Sequence, residues 1–358
     1  MGVILPEYFA LTQAMVKKTL RIKKPTQGDV AARAGVSQAM VSYVLNDNPV
    51  FSVPAETRQR ILDAVDELGY IPNGAARSLR TRKTYTIASI IPDITNPFYP
   101  TFERGVQESA ESYGYDLIVY NTSGVVEKER RCLRSVQQGR VDGVIGVFFH
   151  MTARDLVALL DRGIAVVRLE AKKKEGSKYD LPLDNLYVDN VAAARTAVDY
   201  LIGRGHARIG MLDGQRGPGR ARVLGYHQAL AQHGIAVDQD LIRDGDFRED
   251  GGYRAMRELL GLSPRPTAVF AANDMMAMGA LLAVREAGLM VPRDVALAGF
   301  DDTPITKLVT PSLTTVTQFQ EELGRRAAQM LFERLAGTVP ERGRNEEMPY
   351  ELIVRESA

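Results

Sequence analysis

Between residues 26 and 48 the apolar positions fall at helical spacing and are interrupted once. Val30, Ala31 and Ala34 form one stripe, Gly35 breaks it, and Met40, Val41, Val44 and Leu45 form a second. This period predicts two short helices, and a glycine at the break is a natural left-handed helix stop. Thr26 followed by Asp29 resembles a capping box in which Asp replaces the usual Glu, and Ser37 is placed to cap the second helix. A third amphipathic helix is expected over 54–70, with Ile61, Leu62, Val65 and Leu68 on one face and Gly69 at its end. Two short helices joined by a glycine turn are a helix-turn-helix. Three helices can close a small core, which at about 45 residues is only marginally stable alone.

From residue 85 the grammar changes to strand, loop, helix. Apolar runs at 86–93, 116–122, 141–148 and 164–171 alternate with helical patterns such as 98–115. Near-continuous apolar strands between helices imply a parallel sheet covered on both faces. The series restarts at 207–215, continues through a helix at 221–235 and runs on over 267–302. The stretches "ERGVQESAESYGY" and "VLGYHQALAQHGI" share a shape, a helix carrying Gly beside an apolar residue and closing on a new Gly. This weak repeat predicts two similar α/β lobes, joined near 184–190 and again near 311–320. Ligands of open α/β sheets bind beyond the carboxyl ends of the strands, so two facing lobes predict a closable cleft with hinge motion.

Charge separates the two regions. The first 84 residues hold twelve Lys/Arg and seven Asp/Glu, a surplus of five cations in a chain whose net charge is +1, so the remainder carries −4. A basic head on a slightly acidic body points to a polyanionic partner for the head only. The single cysteine, Cys132, excludes an intrachain disulfide and reads as a small buried residue in a reducing compartment. The opening residues lack a basic n-region and an A-x-A-like site, which argues against a signal peptide. No uncharged apolar run approaches the roughly 18 residues of a membrane span. The expected organisation is a disordered extension over 1–24, with Met15 a candidate natural start, a helix-turn-helix domain over 25–71, a linker with a short helix over 72–84 and a two-lobed core over 85–358. The first lobe takes about 85–186 and 317–335, and the second about 187–316 and 336–358.

A helix-turn-helix puts its second helix in the major groove, where the exposed N-terminal residues meet base edges. Those are Gln38, Ala39, Ser42 and Tyr43; Gln can bond adenine bidentately, and an Ala methyl can meet a thymine methyl. Thr26, Ser37 and Asn46 are candidate phosphate contacts, which position without reading sequence. In the body, strand ends carry Asn96 and Phe98, Arg168 and Glu170, Asn273 and Asp274, and Asp301 and Asp302. Arg222 comes early in a helix, and Phe247 lies within "DGDFREDG". Carboxylate, amide and guanidinium groups with an aromatic suit a polyhydroxylated ligand. Taken singly, each could be a cap or a solvated loop residue; Asn273, for instance, could cap the helix that follows it. The four histidines show no metal-ligand spacing, and no HExxH, G-x-S-x-G or Walker A motif occurs. No cofactor is expected, and an enzyme ranks below a solute-binding protein, itself opposed by the basic head.

The segments "DVAARAGVSQAMVSYVLN", "PNGAARSLRT", "IPDITNPFY", "VDN", "RVLGY", "AANDMMAMGAL", "GFDD" and "PSLTTV" occur in this order. Together they resemble the LacI/GalR family of bacterial transcriptional regulators, from about residue 26 to the C-terminus. The resemblance implies a DNA-binding head, a hinge helix and a core like the periplasmic sugar-binding proteins. It also implies a cytoplasmic, nucleoid-associated homodimer on a palindromic double-stranded operator, controlled by a small effector of carbohydrate type. Leu79 then matches a minor-groove wedge, with Arg77 and Arg80 beside it as phosphate contacts; apolar wedges of this kind kink the duplex. Asn96, Phe98, Glu170, Arg222, Phe247, Asn273 and Asp301 match effector contacts, while Asp189–Asn190 matches a structural motif at the lobe crossover. The chain departs from the pattern at Tyr43, where many members carry Arg or His, and at Gly74–Ala75, where Ala-Leu is more usual. No C-terminal Leu heptad follows, so the expected assembly is a dimer rather than a heptad-tethered tetramer.

Overall fold

The structure, a computed structural model, describes residues 24–45, 52–72, 78, 81–169 and 181–358. The chain divides into two units, Met1–Arg82 and Lys83–Ala358. The expected extension over 1–24 lies, up to residue 23, outside the described residues, as does most of the expected hinge helix.

The first unit holds helices α1 (Gln27–Ala34), α2 (Gln38–Leu45) and α3 (Ala55–Leu68). Helix α1 starts in the anticipated capping box: Thr26 Oγ1 accepts from Asp29 N, and Asp29 Oδ2 accepts from Thr26 N at 2.7 Å. Gly35 adopts φ +67° and returns its N–H to Ala31 O, which ends the helix. Val30, Ala31, Ala34, Val41, Val44, Ile61 and Ala64 form the core, with Met40, Leu45, Val65 and Leu68 packed around it. The expected α3 face needs one correction. Leu62 is 38% exposed, while Ala64 is buried. Ala64, not Leu62, joins the core beside Ile61.

The second unit is two six-stranded sheets. The first lobe contains β1 (Thr86–Ile91), α4 (Phe98–Ser112), β2 (Asp116–Asn121), α5 (Val126–Val136), β3 (Gly143–Val147), α6 (Val157–Leu160), β4 (Ala165–Leu169) and β5 (Asp184–Val188). The second contains α7 (Asn190–Gly203), β6 (Ile209–Asp213), α8 (Gly219–Gln232), β7 (Ile242–Asp244), α9 (Glu249–Leu260), β8 (Ala268–Ala271), α10 (Asp274–Glu286), β9 (Ala296–Asp301) and β10 (Thr314–Thr317). The chain then returns to the first lobe with α11 (Gln320–Leu335) and β11 (Asn345–Met348), and ends in the second with β12 (Glu351–Ile353). The strand orders are β11-β5-β4-β3-β1-β2 and β12-β10-β9-β8-β6-β7, parallel throughout except for the β10–β12 pair.

This topology confirms the two lobes and corrects their edges. Strand β5 belongs to the first sheet, so the first crossover follows Val188, within the expected 184–190. Strand β11 pairs with β5, so 336–348 leave the second lobe for the first, and a third crossing falls between Met348 and Glu351. The expectation missed β11 because its residues, Asn-Glu-Glu-Met, alternate exposed and half-buried and show no apolar run. What holds it is charge. Asp184, fully buried, accepts from Arg334 at 2.6 Å and from Arg344 at 2.8 Å, tying α11 and the approach to β11 onto β5.

The internal repeat has a packing cause. A Cβ on Gly105 of α4 would stand 2.0 Å from Glu321 O of α11, and one on Gly225 of α8 would stand 2.3 Å from Val191 O of α7. In each lobe the glycine lets a second helix cross at backbone contact, while the next residue, Val106 or Tyr226, is buried in the core.

Candidate ligand cleft and nucleic-acid interface

The carboxyl ends of the strands frame a cleft of about 310 Å³ between the lobes. The loop after β1 brings Asn96, and the start of α4 brings Phe98. The second lobe brings Arg222, Phe247, Asn273 and Asp301. Six of the seven expected effector residues therefore converge, and the seventh, Glu170, lies outside the described residues.

Arg222 is the electrostatic centre of the cleft floor. Its Nη1 donates to Ala272 O at 2.5 Å, its Nε donates to Asn190 Oδ1 at 2.8 Å, and its guanidinium carbon lies 3.7 Å from the centre of the Phe300 ring. Asp301 Oδ1 accepts from Gln318 Nε2 at 2.8 Å. Asn190 thereby holds the arginine, and Asp189 caps α7 by accepting from Val191 N and Ala192 N. Both crossover residues are structural.

Asn273 combines the simple role with a positioning one. Its Oδ1 caps α10 by accepting from Met276 N at 3.0 Å, and its Nδ2 donates to Phe247 O at 3.1 Å. Phe247 sits at φ +59° after Asp246 at +51°, and Asp301 and Asp302 sit at +112° and +54°. Left-handed backbone at non-glycine residues costs about 1–3 kcal/mol each and gathers at preorganised sites. Here it bends two loops so that their side chains meet the cleft.

Other strand-end candidates fall elsewhere. Asp274 is fully buried and accepts from Thr303 N at 2.7 Å and Thr315 Oγ1 at 2.6 Å, which fixes the turn after Asp301. Burial pushes its carboxyl up to about 7, against the lowering effect of those hydrogen bonds. Asp302 is gripped by Arg355 at 2.6 Å. Arg168 lines a neighbouring cavity instead.

Sequence reasoning missed Phe149, Arg216 and Arg248, all of which line the cleft. Arg248 was within reach as the neighbour of Phe247 in "DGDFREDG". Arg216 follows β6 in a glycine-rich strand-end loop, the placement that identified the others. Phe149 needed structure: its loop is held by Glu129 on α5, whose carboxylate accepts from the N–H groups of Phe149, His150 and Met151 at 3.0–3.2 Å.

In the head, Gln38 and Ala39 are exposed at the start of α2, and Ser42 and Tyr43 follow half-buried on the same helix. Ser37 Oγ accepts from Met40 N at 3.2 Å, which leaves its proton available to a phosphate. Thr26 differs, because its hydroxyl already donates to Asp29 Oδ2 at 2.6 Å. Asn46, Arg77, Leu79 and Arg80 lie outside the described residues.

Two family models match. Bacterial regulatory proteins, lacI family, covers 26–73, and the periplasmic binding protein-like domain covers 198–358. The chain is 38% identical over 311 residues to the HTH-type transcriptional repressor PurR of Erwinia tasmaniensis, covering 86% of this chain and 89% of that protein. Among solved structures, the transcriptional regulator CelR–cellobiose complex matches with a TM-score of 0.69 at 32% identity, over 93% of this chain and 100% of that one. The lac repressor dimer bound to operator and the anti-inducer ONPF matches with a TM-score of 0.82 at 27% identity, over 94% and 99%.

Proposed function

This chain belongs to the lacI family of bacterial regulatory proteins, and we propose from that premise that it is a homodimeric repressor whose grip on a palindromic operator is set by a sugar or sugar derivative in the cleft. The family consists of transcriptional regulators rather than enzymes, and the chain is a DNA-binding regulator answering to a small molecule. The observation that carries the effector class is the cleft itself: amide, carboxylate and guanidinium groups beside Phe98 and Phe247 provide donors, acceptors and aromatic faces for a polyol. The related CelR structure holds cellobiose in the same fold, which supports that reading.

On this reading Gln38, Ala39, Ser42 and Tyr43 meet base edges, and Ser37 a phosphate. Leu79, with Arg77 and Arg80, serves the minor groove. The solute-binding alternative loses to the helix-turn-helix head. A DNA partner of this kind supports a cytoplasmic, nucleoid-associated reading. No helix among the described residues is long and apolar enough to cross a membrane.

Footprinting of the full chain against a genomic fragment library tests the proposal. Discrete palindromic footprints with a steep salt dependence are expected. Sequence-blind or salt-insensitive binding would contradict it.

A further inference from the structure

Beside the cleft lies a second cavity of about 330 Å³, and the charged groups that line it among the described residues are of one sign. The first lobe supplies Phe149, His150 and Arg168. The second supplies Arg216 and Arg220, from the turn before α8 and its first residues. Among the described residues, three guanidinium groups line this cavity and no carboxylate does. The cleft is different, since Asp93, Asp246 and Asp301 share its wall with arginines. Phe149 and Arg216 line both spaces, so the two are adjoining compartments.

Elsewhere in the body arginines close on carboxylates, as Arg326 does on Glu346 at 2.5 Å and Arg355 on Asp302 at 2.6 Å. The cavity arginines do not. Arg168 sends Nε and Nη2 to one neutral acceptor, Asn185 Oδ1, at 2.9 and 2.7 Å, and burial holds its guanidinium below its ordinary pKa. A half-buried cation facing a neutral amide lacks the counter-charge that offsets its desolvation. Arg216 and Arg220 are exposed and form no salt bridge among the described residues. The carboxylate that feels Arg220 is Asp213, whose pKa burial pushes up; Asp213 does not line this cavity. Helix α8 has no acidic residue in its first turn and no side-chain cap, and the Asp213 carboxylate is the acidic group beside its first residue, Gly219. Guanidinium forks bind phosphate and carboxylate bidentately.

We propose that the effector is an anionic polyol whose hydroxylated part occupies the cleft over Asn273 and Asp301 and whose phosphate or carboxylate reaches past Phe149 to Arg168, Arg216 and Arg220. The inference rests on the cleft being the effector site.

Calorimetric titration of the full chain with glucose, glucose 6-phosphate and gluconate, and with ribose and ribose 5-phosphate, tests it. At least one charged form is expected to bind about tenfold or more tighter than its neutral parent, equivalent to about 1.4 kcal/mol. The double variant Arg216→Ala/Arg220→Ala should erase that preference while keeping the wild-type urea midpoint, because both side chains are exposed. A preference confined to the phosphates assigns the group as phosphate, and one confined to gluconate as carboxylate. Neutral parents binding as tightly as charged forms, charged forms failing to bind, or a preference that survives the double variant would each overturn the proposal. Neutral sugars that bind and shift operator affinity would sink this inference alone. Charged sugars that bind without altering operator affinity would support it and contradict the effector reading instead.

Discussion

Arg222 Nη1 stands 3.6 Å from Asp301 Oδ1 on the cleft floor, with the two side chains only 2% and 5% exposed. From sequence, Arg222→Ala would be expected to weaken ligand binding and leave the core intact. The buried geometry changes that expectation. Truncation strips Asp301 of its counter-charge and empties the space over Phe300, and breaking a buried pair costs about 3–5 kcal/mol. Arg222→Ala should therefore lose ligand binding and lower the urea midpoint together. A variant as stable as the wild type would show that the pair contributes nothing to the body.

Gly217 links the lobes sterically. It adopts φ +51°, and a Cβ there would stand 2.4 Å from Phe149 Cε1. Gly217→Ala combines about 1–2 kcal/mol of left-handed backbone cost with a clash across the cleft mouth. It should weaken ligand affinity by more than it lowers thermal stability, since the lobes can part to relieve the contact. Titration of the variant with the wild type's ligand checks this, and unchanged affinity would refute a role for the Phe149 contact.

Asn273→Ala should cost about 1 kcal/mol as a lost helix cap and also free the Phe247 carbonyl from its anchor. The two effects separate by measurement. Asn273→Ser restores a capping oxygen but no donor of that reach, so it should recover stability in urea denaturation and leave ligand affinity low. Recovery of both would reduce Asn273 to a cap.

Two buried carboxyls give the body a pH signature. Burial pushes Asp274 up to about 7, and likewise Glu103, whose Oε1 accepts from Ser89 Oγ at 2.6 Å while its Oε2 finds no partner among the described residues. An unfolded carboxylate titrates near pH ~4. Between that value and about 7 the folded state holds protons that the unfolded state has released, so the contribution of these groups to stability falls as pH rises. Glu103→Gln removes one of them. Its urea midpoint should fall less than that of the wild type between pH about 4.5 and about 7.5; an equal fall would contradict the assignment.

The parts of the fold legible in the sequence were those written in local period and in strand-end chemistry. The helix-turn-helix declared itself through Val30, Ala31, Ala34 and Gly35, because capping and packing there are settled within a few residues. The cleft residues declared themselves by sitting where strands end. Strand β11 did not, since an edge strand of Asn-Glu-Glu-Met is recruited by the Asp184–Arg344 pair across 160 residues of chain. Phe149 was equally hidden: what makes it a cleft residue is the Glu129 carboxylate on another element. Leu62 was misplaced because a leucine at the border of a helix's apolar stripe reads as core by hydropathy, whereas the small Ala64 is the residue buried.

The wedge assignment for Leu79 concerns DNA alone. Leu79→Ala is expected to weaken operator affinity while leaving ligand affinity unchanged, because ligand binding rests on the body. Operator titration and calorimetry of the same preparation check it. Unchanged operator affinity would remove Leu79 from the interface.

Coupling between cleft and operator is the central claim, and anisotropy titration of the footprinted operator measures it directly. The full chain and Asn273→Ala would each be titrated with and without a ligand that raises the melting temperature of the wild type. Saturating ligand is expected to shift the wild-type operator Kd by about fivefold or more, the usual scale of allosteric coupling, with a smaller shift in the variant at the same ligand concentration. A ligand that binds the wild-type cleft yet leaves its operator Kd unchanged would contradict it.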